Sequence, residues 1–126
     1  MIKAKKDLGQ NFLIDEVALN KIIEIINPKK KEHFLEIGPG QGALTKFLAK
    51  NTRRLDAVEL DKDLLLGLRL INAEELFIHN ENILDFDIRK VLENGKLRIV
   101  GNLPYNISTD IMLWTFQNLN YFKDIH

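Results

Sequence analysis

Residues 101–109, GNLPYNIST, end an apolar run, Leu97-Arg98-Ile99-Val100, with an amide, a rigid ring and an aromatic ring. Those residue types suit one task, the activation of an exocyclic amine on a nucleobase. Such a nitrogen is a poor nucleophile because its lone pair is delocalised into the base. The side-chain oxygen of Asn102 and the backbone carbonyl of Leu103 can accept from its two N–H groups and draw the lone pair out of conjugation. Pro104 disfavours helical geometry at Leu103, which favours an outward carbonyl. Tyr105 can stack on the face of the base, a contact of about 1–3 kcal/mol. A base must leave its stack, or be single-stranded, before an enzyme can work on it, and an extruded adenine fits this set. A strand-ending proline turn would explain Pro104 and leave Asn102 and Tyr105 unexplained.

A second stretch, EIGPGQGA at 36–43, is a glycine loop between a strand pattern and a helix pattern. Gly38, Gly40 and Ala43 satisfy G-x-G-x-x-G/A, and Glu59 lies about 20 residues on, where a ribose-binding acid belongs. Glycine lets the backbone approach a ligand, a helix N-terminus favours an anionic group, and a strand-end carboxylate accepts from ribose hydroxyls. The loop alone indicates an adenosine cofactor and does not separate NAD from S-adenosylmethionine. The NLPY stretch separates them: no hydride-transfer partner is evident, whereas an activated amine needs a methyl donor.

These stretches have to be positioned by the elements between them. Apolar residues Val17, Leu19, Ile22, Ile23 and Ile26 follow helical spacing over Asp15–Ile26, and Asn27-Pro28 ends that helix. Strand patterns at 33–37, 55–60, 75–80 and 97–100 alternate with helix patterns at 43–50, 61–71, 86–94 and 108–119, and 121–126 reads as a fifth strand beginning. Alternation of this kind predicts an α/β fold with a doubly wound, mostly parallel sheet. In the strand order 3-2-1-4-5 the order reverses between the first and fourth strands, so the glycine loop and NLPY should emerge side by side.

Composition narrows the class. The 126 residues are 45% hydrophobic, enough for one modest core. No apolar run approaches the ~20 residues that span a bilayer, and Lys3, Lys5 and Lys6 are followed by no apolar stretch of a signal peptide. A soluble cytoplasmic protein without membrane association is expected. The absence of cysteine excludes thiol catalysis and thiolate metal sites, and His33, His79 and His126 have no metal-ligand spacing, so no metal is expected. Net charge is zero, but residues 1–54 carry 11 Lys and Arg against 6 Asp and Glu, while 55–126 carry 7 against 12. A polyanion would meet the first half, at Lys3, Lys5, Lys6, Lys29-Lys30-Lys31 and Arg53-Arg54.

Four stretches in order, DLGQNFLID (7–15), FLEIGPGQGALT (34–45), VELD (58–61) and GNLPYNIST (101–109), resemble the small-subunit ribosomal RNA adenine N6,N6-dimethyltransferases. The resemblance covers nearly the whole chain. It implies a Rossmann-like methyltransferase fold, S-adenosylmethionine as donor with S-adenosylhomocysteine as product, and two adjacent adenosines of 16S rRNA in the immature small subunit as substrate. By the same resemblance Gln10, Asn11 and Leu13 lie over the methionine end of the cofactor, Gly38 and Gly40 make backbone contacts, and Glu59 holds the ribose. Leu60, Ile83 and Asn102 join the cofactor-binding set, and Asn102, Leu103, Pro104 and Tyr105 take the target adenine. The family usually places an Asp after the third strand to accept from the cofactor adenine; here Asn82 aligns, giving a neutral and weaker contact, with Asp85 as the alternative.

The resemblance also implies seven strands and a C-terminal helical domain that helps grip RNA. Residues 1–126, basic arm 1–14 included, are therefore expected to be an incomplete catalytic domain. A full-length monomer is expected; the chain as it stands should bind cofactor without methylating, and should self-associate through an exposed fourth-strand edge. Two other readings share the fold: a large-subunit (23S) enzyme of the macrolide-resistance type, favoured by Asp110-Ile111, and a non-catalytic assembly or transcription factor, disfavoured by the intact NLPY.

Overall fold

A computed structural model describes residues 15–101 and 109–126. Helix α1 (Glu16–Ile26) opens at Asp15, whose carboxylate accepts from the Val17 N–H at 2.9 Å, and closes at Asn27 in the left-handed region at φ 49°. Strands β1 (His33–Ile37), β2 (Arg54–Val58), β3 (Leu76–His79), β4 (Leu97–Gly101) and β5 (Phe122–Ile125) form one sheet in the order β3-β2-β1-β4-β5. All four pairings are parallel, as the strand–helix alternation predicts. In register, Ile37 of β1 lies between Val58 of β2 and Gly101 of β4. The chain thus leaves three adjacent strands at one end, at Gly38, Glu59 and the residue after Gly101.

Both faces of the sheet are covered, so its central strands are apolar almost throughout. On one face Phe34, Leu55 and Val100 pack with Ile26 of α1 and with Leu44 and Leu48 of α2 (Ala43–Asn51). On the other, Leu35, Ile37, Val58, Leu97 and Ile99 pack against Ile83, Phe86, Ile88 and Val91 and against Trp114 of α4 (Thr109–Gln117). Helix α3 (Leu65–Arg69) lies between β2 and β3 and buries only Leu65 and Leu68.

Two helix expectations are corrected. Residues 86–94 do not form a helix; they hold a single 3₁₀ turn, Ile88–Lys90, with Phe86 extended between it and a preceding 3₁₀ turn, Ile83–Asp85. The cause is local: Asn82 and Asp87 each accept from the N–H two residues on, at 3.0 Å, and these Asx turns compete with a continuous helix. The expected helix 61–71 shortens to a 3₁₀ turn, Lys62–Leu64, running into α3. Asp61 is the cap as expected, accepting from the Asp63 N–H.

The fifth strand expected at 121–126 is formed, and it covers the fourth-strand edge that was expected to be exposed. Strand β5 is formed and pairs Leu97 with Phe122, Arg98 with Asp124 and Ile99 with Ile125. His126 N–H donates to the Ile99 carbonyl and Gly101 N–H to the His126 carbonyl. Arg98 strengthens this edge: its guanidinium bonds the Asp124 carboxylate at 2.8–3.0 Å, Glu32 at 2.8 Å and the Ile26 carbonyl at the end of α1, and it lies 4.9 Å from the Phe34 ring centre.

At the opposite edge the polar anchor is Asp56, fully buried on β2. It accepts from His33 of β1 and His79 of β3, both at 2.7 Å, and from Arg54 at 2.9 and 3.2 Å. Burial pushes the Asp56 carboxyl up, but hydrogen bonds from His33, His79 and Arg54 outweigh it and hold the group well below the usual carboxylate range. Removing one partner from a buried ionic cluster costs about 3–5 kcal/mol, so Asp56→Ala should lower stability at pH 7 by that order in urea melts. Because the folded-state pKa is depressed, this contribution is present at neutral pH and fades as pH falls below the ordinary aspartate range. The gap between wild type and variant should therefore narrow on acidification.

Candidate functional site

The loop Gly38–Gly42 leaves β1 and enters α2 with Gly38, Gly40 and Gly42 all at positive φ. At Gly42, φ is 90° and an added Cβ would meet Leu68 and Ile71 side-chain carbons at 3.1 Å, so both the backbone and the packing require glycine. Gly42 also occupies the N-cap of α2 without any side-chain cap bond. The first amides of α2 are thus not taken by a capping side chain and keep their affinity for an anion.

Glu59, only 7% exposed, lies directly after β2 and ties the loop down. One carboxylate oxygen accepts from the Gly40 N–H at 3.1 Å and the other from the Asp61 N–H at 3.0 Å. Its backbone is held as well: Glu59 N–H donates to the His79 carbonyl, and the Asn80 side chain donates to the carbonyls of Glu59 and Leu60 at 2.9 and 3.2 Å. Asn80 is a positioning residue that the sequence reading missed; its only signal was an amide directly after a strand.

The sequence-predicted residues fall into three groups. Gly38, Gly40 and Glu59 are brought together at the ends of β1 and β2, and Leu60 follows with its side chain 62% exposed. Asn82 and Ile83 lie beyond β3: the Asn82 oxygen accepts from Leu84 N–H, and the Ile83 side chain is buried in the core. Asp85, the alternative to Asn82, is exposed. Gln10, Asn11, Leu13, Asn102, Leu103, Pro104 and Tyr105 lie outside the described residues.

A further carboxylate, Glu36, was also missed, although a lone acid in the otherwise uncharged run FLEIG was a legible signal. It is fully buried on β1, two residues before Gly38. Its Oε1 accepts from the Thr45 hydroxyl of α2 at 2.7 Å, while its Oε2 has no hydrogen-bond partner among the described residues. Burial pushes the Glu36 carboxyl up to about 7; the Thr45 hydrogen bond opposes the rise and the nearby Glu59 charge adds to it. A pKa raised on folding means that stability falls as pH rises from the ordinary glutamate range through 7. The rise from 4.5 to about 7 corresponds to on the order of 3 kcal/mol. Glu36→Gln, which keeps an acceptor for Thr45, should therefore be more stable than wild type at pH 8 and equal to it near pH 4.5, as read from paired urea melts.

Comparison with known proteins places this arrangement. The ribosomal RNA small subunit methyltransferase A of Pseudomonas savastanoi pv. phaseolicola is 44% identical over 127 aligned residues, which cover 98% of this chain and 47% of that protein. The chain spans about half the length of the curated relatives it matches. Among solved structures, the 23S rRNA methyltransferase ErmE superposes with a TM-score of 0.68 at 28% identity, covering 82% of this chain and 41% of that one. A dimethyladenosine transferase from Plasmodium falciparum superposes with a TM-score of 0.70 at 21% identity, covering 86% and 39%, a likeness of fold. The family model for ribosomal RNA adenine dimethylase matches residues 1–126, and the chain belongs to that family.

Proposed function

We propose that residues 1–126, basic arm 1–14 included, are the cofactor-binding part of an S-adenosylmethionine-dependent rRNA adenine N6,N6-dimethyltransferase. Its substrate is two adjacent adenosines of 16S rRNA in the immature small subunit, in the cytoplasm. The observation that carries this reading is the tie between Glu59 and Gly40, which sets a ribose acid against a glycine loop beside the exit of β4 into NLPY. The identity of 44% to a small-subunit enzyme, against 28% to the 23S enzyme, favours the small-subunit substrate.

The residues present fit the cofactor. Among the described residues each Glu59 oxygen accepts one hydrogen bond, so lone pairs remain for ribose hydroxyls. The uncapped start of α2 suits a carboxylate, and the partnerless Glu36 oxygen suits a cationic group nearby. When bound, S-adenosylmethionine supplies an activated methyl group on a sulfonium leaving group. Gln10, Asn11 and Leu13 would hold its methionine end, Gly38, Gly40 and Leu60 its sugar, and Asn82 and Ile83 its adenine. Asn102 would serve both the cofactor and the target amine, whose N–H groups it and Leu103 would accept, with Pro104 favouring that backbone and Tyr105 stacking on the base. The amine proton then passes to solvent, since a methylated ammonium on a nucleobase is strongly acidic.

Two measurements test this. Glu59→Ala should weaken S-adenosylmethionine binding by about 1.5–3 kcal/mol, the range for hydrogen bonds to a charged group; equal affinities in calorimetry would remove Glu59 from the site. In a protein of the relatives' full length, Asn102→Ala should abolish dimethylation of immature small subunits while cofactor affinity stays within a few-fold, because that contact serves the transition state. Near-normal turnover would refute the amine-activation role.

A further inference from the structure

We propose that Glu36 couples cofactor binding to proton release: its buried carboxyl holds a proton in the empty protein and surrenders it to solvent when a cationic ligand settles over the glycine loop. The inference rests on the cofactor reading above and adds to it a second carboxylate, acting through its charge.

The surroundings of Glu36 leave its negative charge uncompensated. Its sheet neighbours are Ala57 on β2 and Val100 on β4, both apolar. Thr45 of α2 is neutral and donates to Oε1 whichever charge state the acid is in. The other ionisable group acting on it is Glu59, which has the same sign. Among the described residues no Lys, Arg or His forms an ion pair with Glu36, whereas Asp56 on the next strand is bonded by three cationic or basic side chains. A fully buried carboxyl with one oxygen partnerless among the described residues and a like charge beside it keeps its proton up to about pH 7 until a cation arrives.

The fold puts such a cation within range. Glu36 lies on β1, at the reversal of strand order, with the glycine loop starting two residues later. A ligand anchored by its ribose on Glu59 and running toward β4 must cross β1. S-adenosylmethionine carries a sulfonium and an ammonium along that path, and S-adenosylhomocysteine the ammonium alone. Their field lowers the affinity of Glu36 for its proton, and by linkage deprotonation of Glu36 raises the affinity for them.

The test is calorimetry of the whole chain at pH 6 and 8, in buffers of different ionisation heat, so that protons released per ligand are counted. The ligand's own amino group titrates near this range, so the quantity read is the difference between wild type and Glu36→Gln. If only the ionised form binds tightly, wild-type affinity for S-adenosylmethionine should rise by on the order of tenfold from pH 6 to 8 beyond any change in the variant. Proton release at pH 6 should approach one per ligand in excess of the variant. 5′-Methylthioadenosine, which has the nucleoside and sulfur but no cation, should show no excess. A carbon-13 titration of the Glu36 carboxyl in the empty and loaded wild-type protein reads the same event without any substitution, and should show its midpoint drop on loading. Identical pH dependence in wild type and variant, or an unmoved midpoint, overturns the proposal while binding itself leaves the cofactor reading standing. No binding of S-adenosylmethionine at any pH overturns both.

Discussion

Everything proposed for this chain depends on one carboxylate with two amides on it. Glu59 belongs to the end of β2, Gly40 to the loop after β1, and the bond between them fixes a flexible glycine segment to a rigid strand. Parallel strands supply no hairpin to hold their ends together, so the loops at the carboxyl end of the sheet must be tied by side chains. Glu59 does this on one side and Asn80 anchors Glu59 from the other, giving a chain of support that runs from β3 through β2 to β1. A ligand that used the remaining lone pairs of Glu59 would meet an acid already oriented, with little ordering left to lose on binding.

The two buried acids on neighbouring strands show how environment divides roles between identical groups. Asp56 is surrounded by His33, His79 and Arg54 and stays ionised; it joins β1, β2 and β3. Glu36 has a single hydroxyl and a like charge, and burial pushes its carboxyl up to about 7. The first is a structural joint whose requirements the protein meets itself. The second is incomplete in the protein alone, and that incompleteness makes it responsive to what binds.

The architecture was legible in the sequence because its signals are local and redundant: β1 is apolar but for Glu36 and the terminal His33, and the glycine loop follows at once. Strand order and the adjacency of β1 and β4 followed from the alternation of elements. What was not legible depended on competition. Residues 86–94 read as a helix, yet Asp87 captured the Arg89 amide, as Asn82 captured that of Leu84 just before, and two separate turns resulted. The strand read at 121–126 forms as β5, but the sequence did not show that it would cover the β4 edge; it does so with a register irregularity between Leu97 and Arg98, and Arg98 bonds Asp124 beside it. Glu36 and Asn80 escaped notice because a buried acid or a strand-end amide shows its importance only through its partners.

Gly42 carries a consequence for how this loop can change over generations. Two unrelated requirements meet there, a backbone at φ 90° and a gap of 3.1 Å to Leu68 and Ile71. Trimming both Leu68 and Ile71 would make room for a methyl group but would leave the backbone strained, and relaxing the backbone would leave two tight contacts. No single second change repairs both defects, so substitutions at this position face a valley that one compensating step does not cross. Gly40, with open space where a Cβ would stand, keeps only the backbone requirement. The two glycines look alike in the sequence, but the route to replacing Gly40 is shorter by one step.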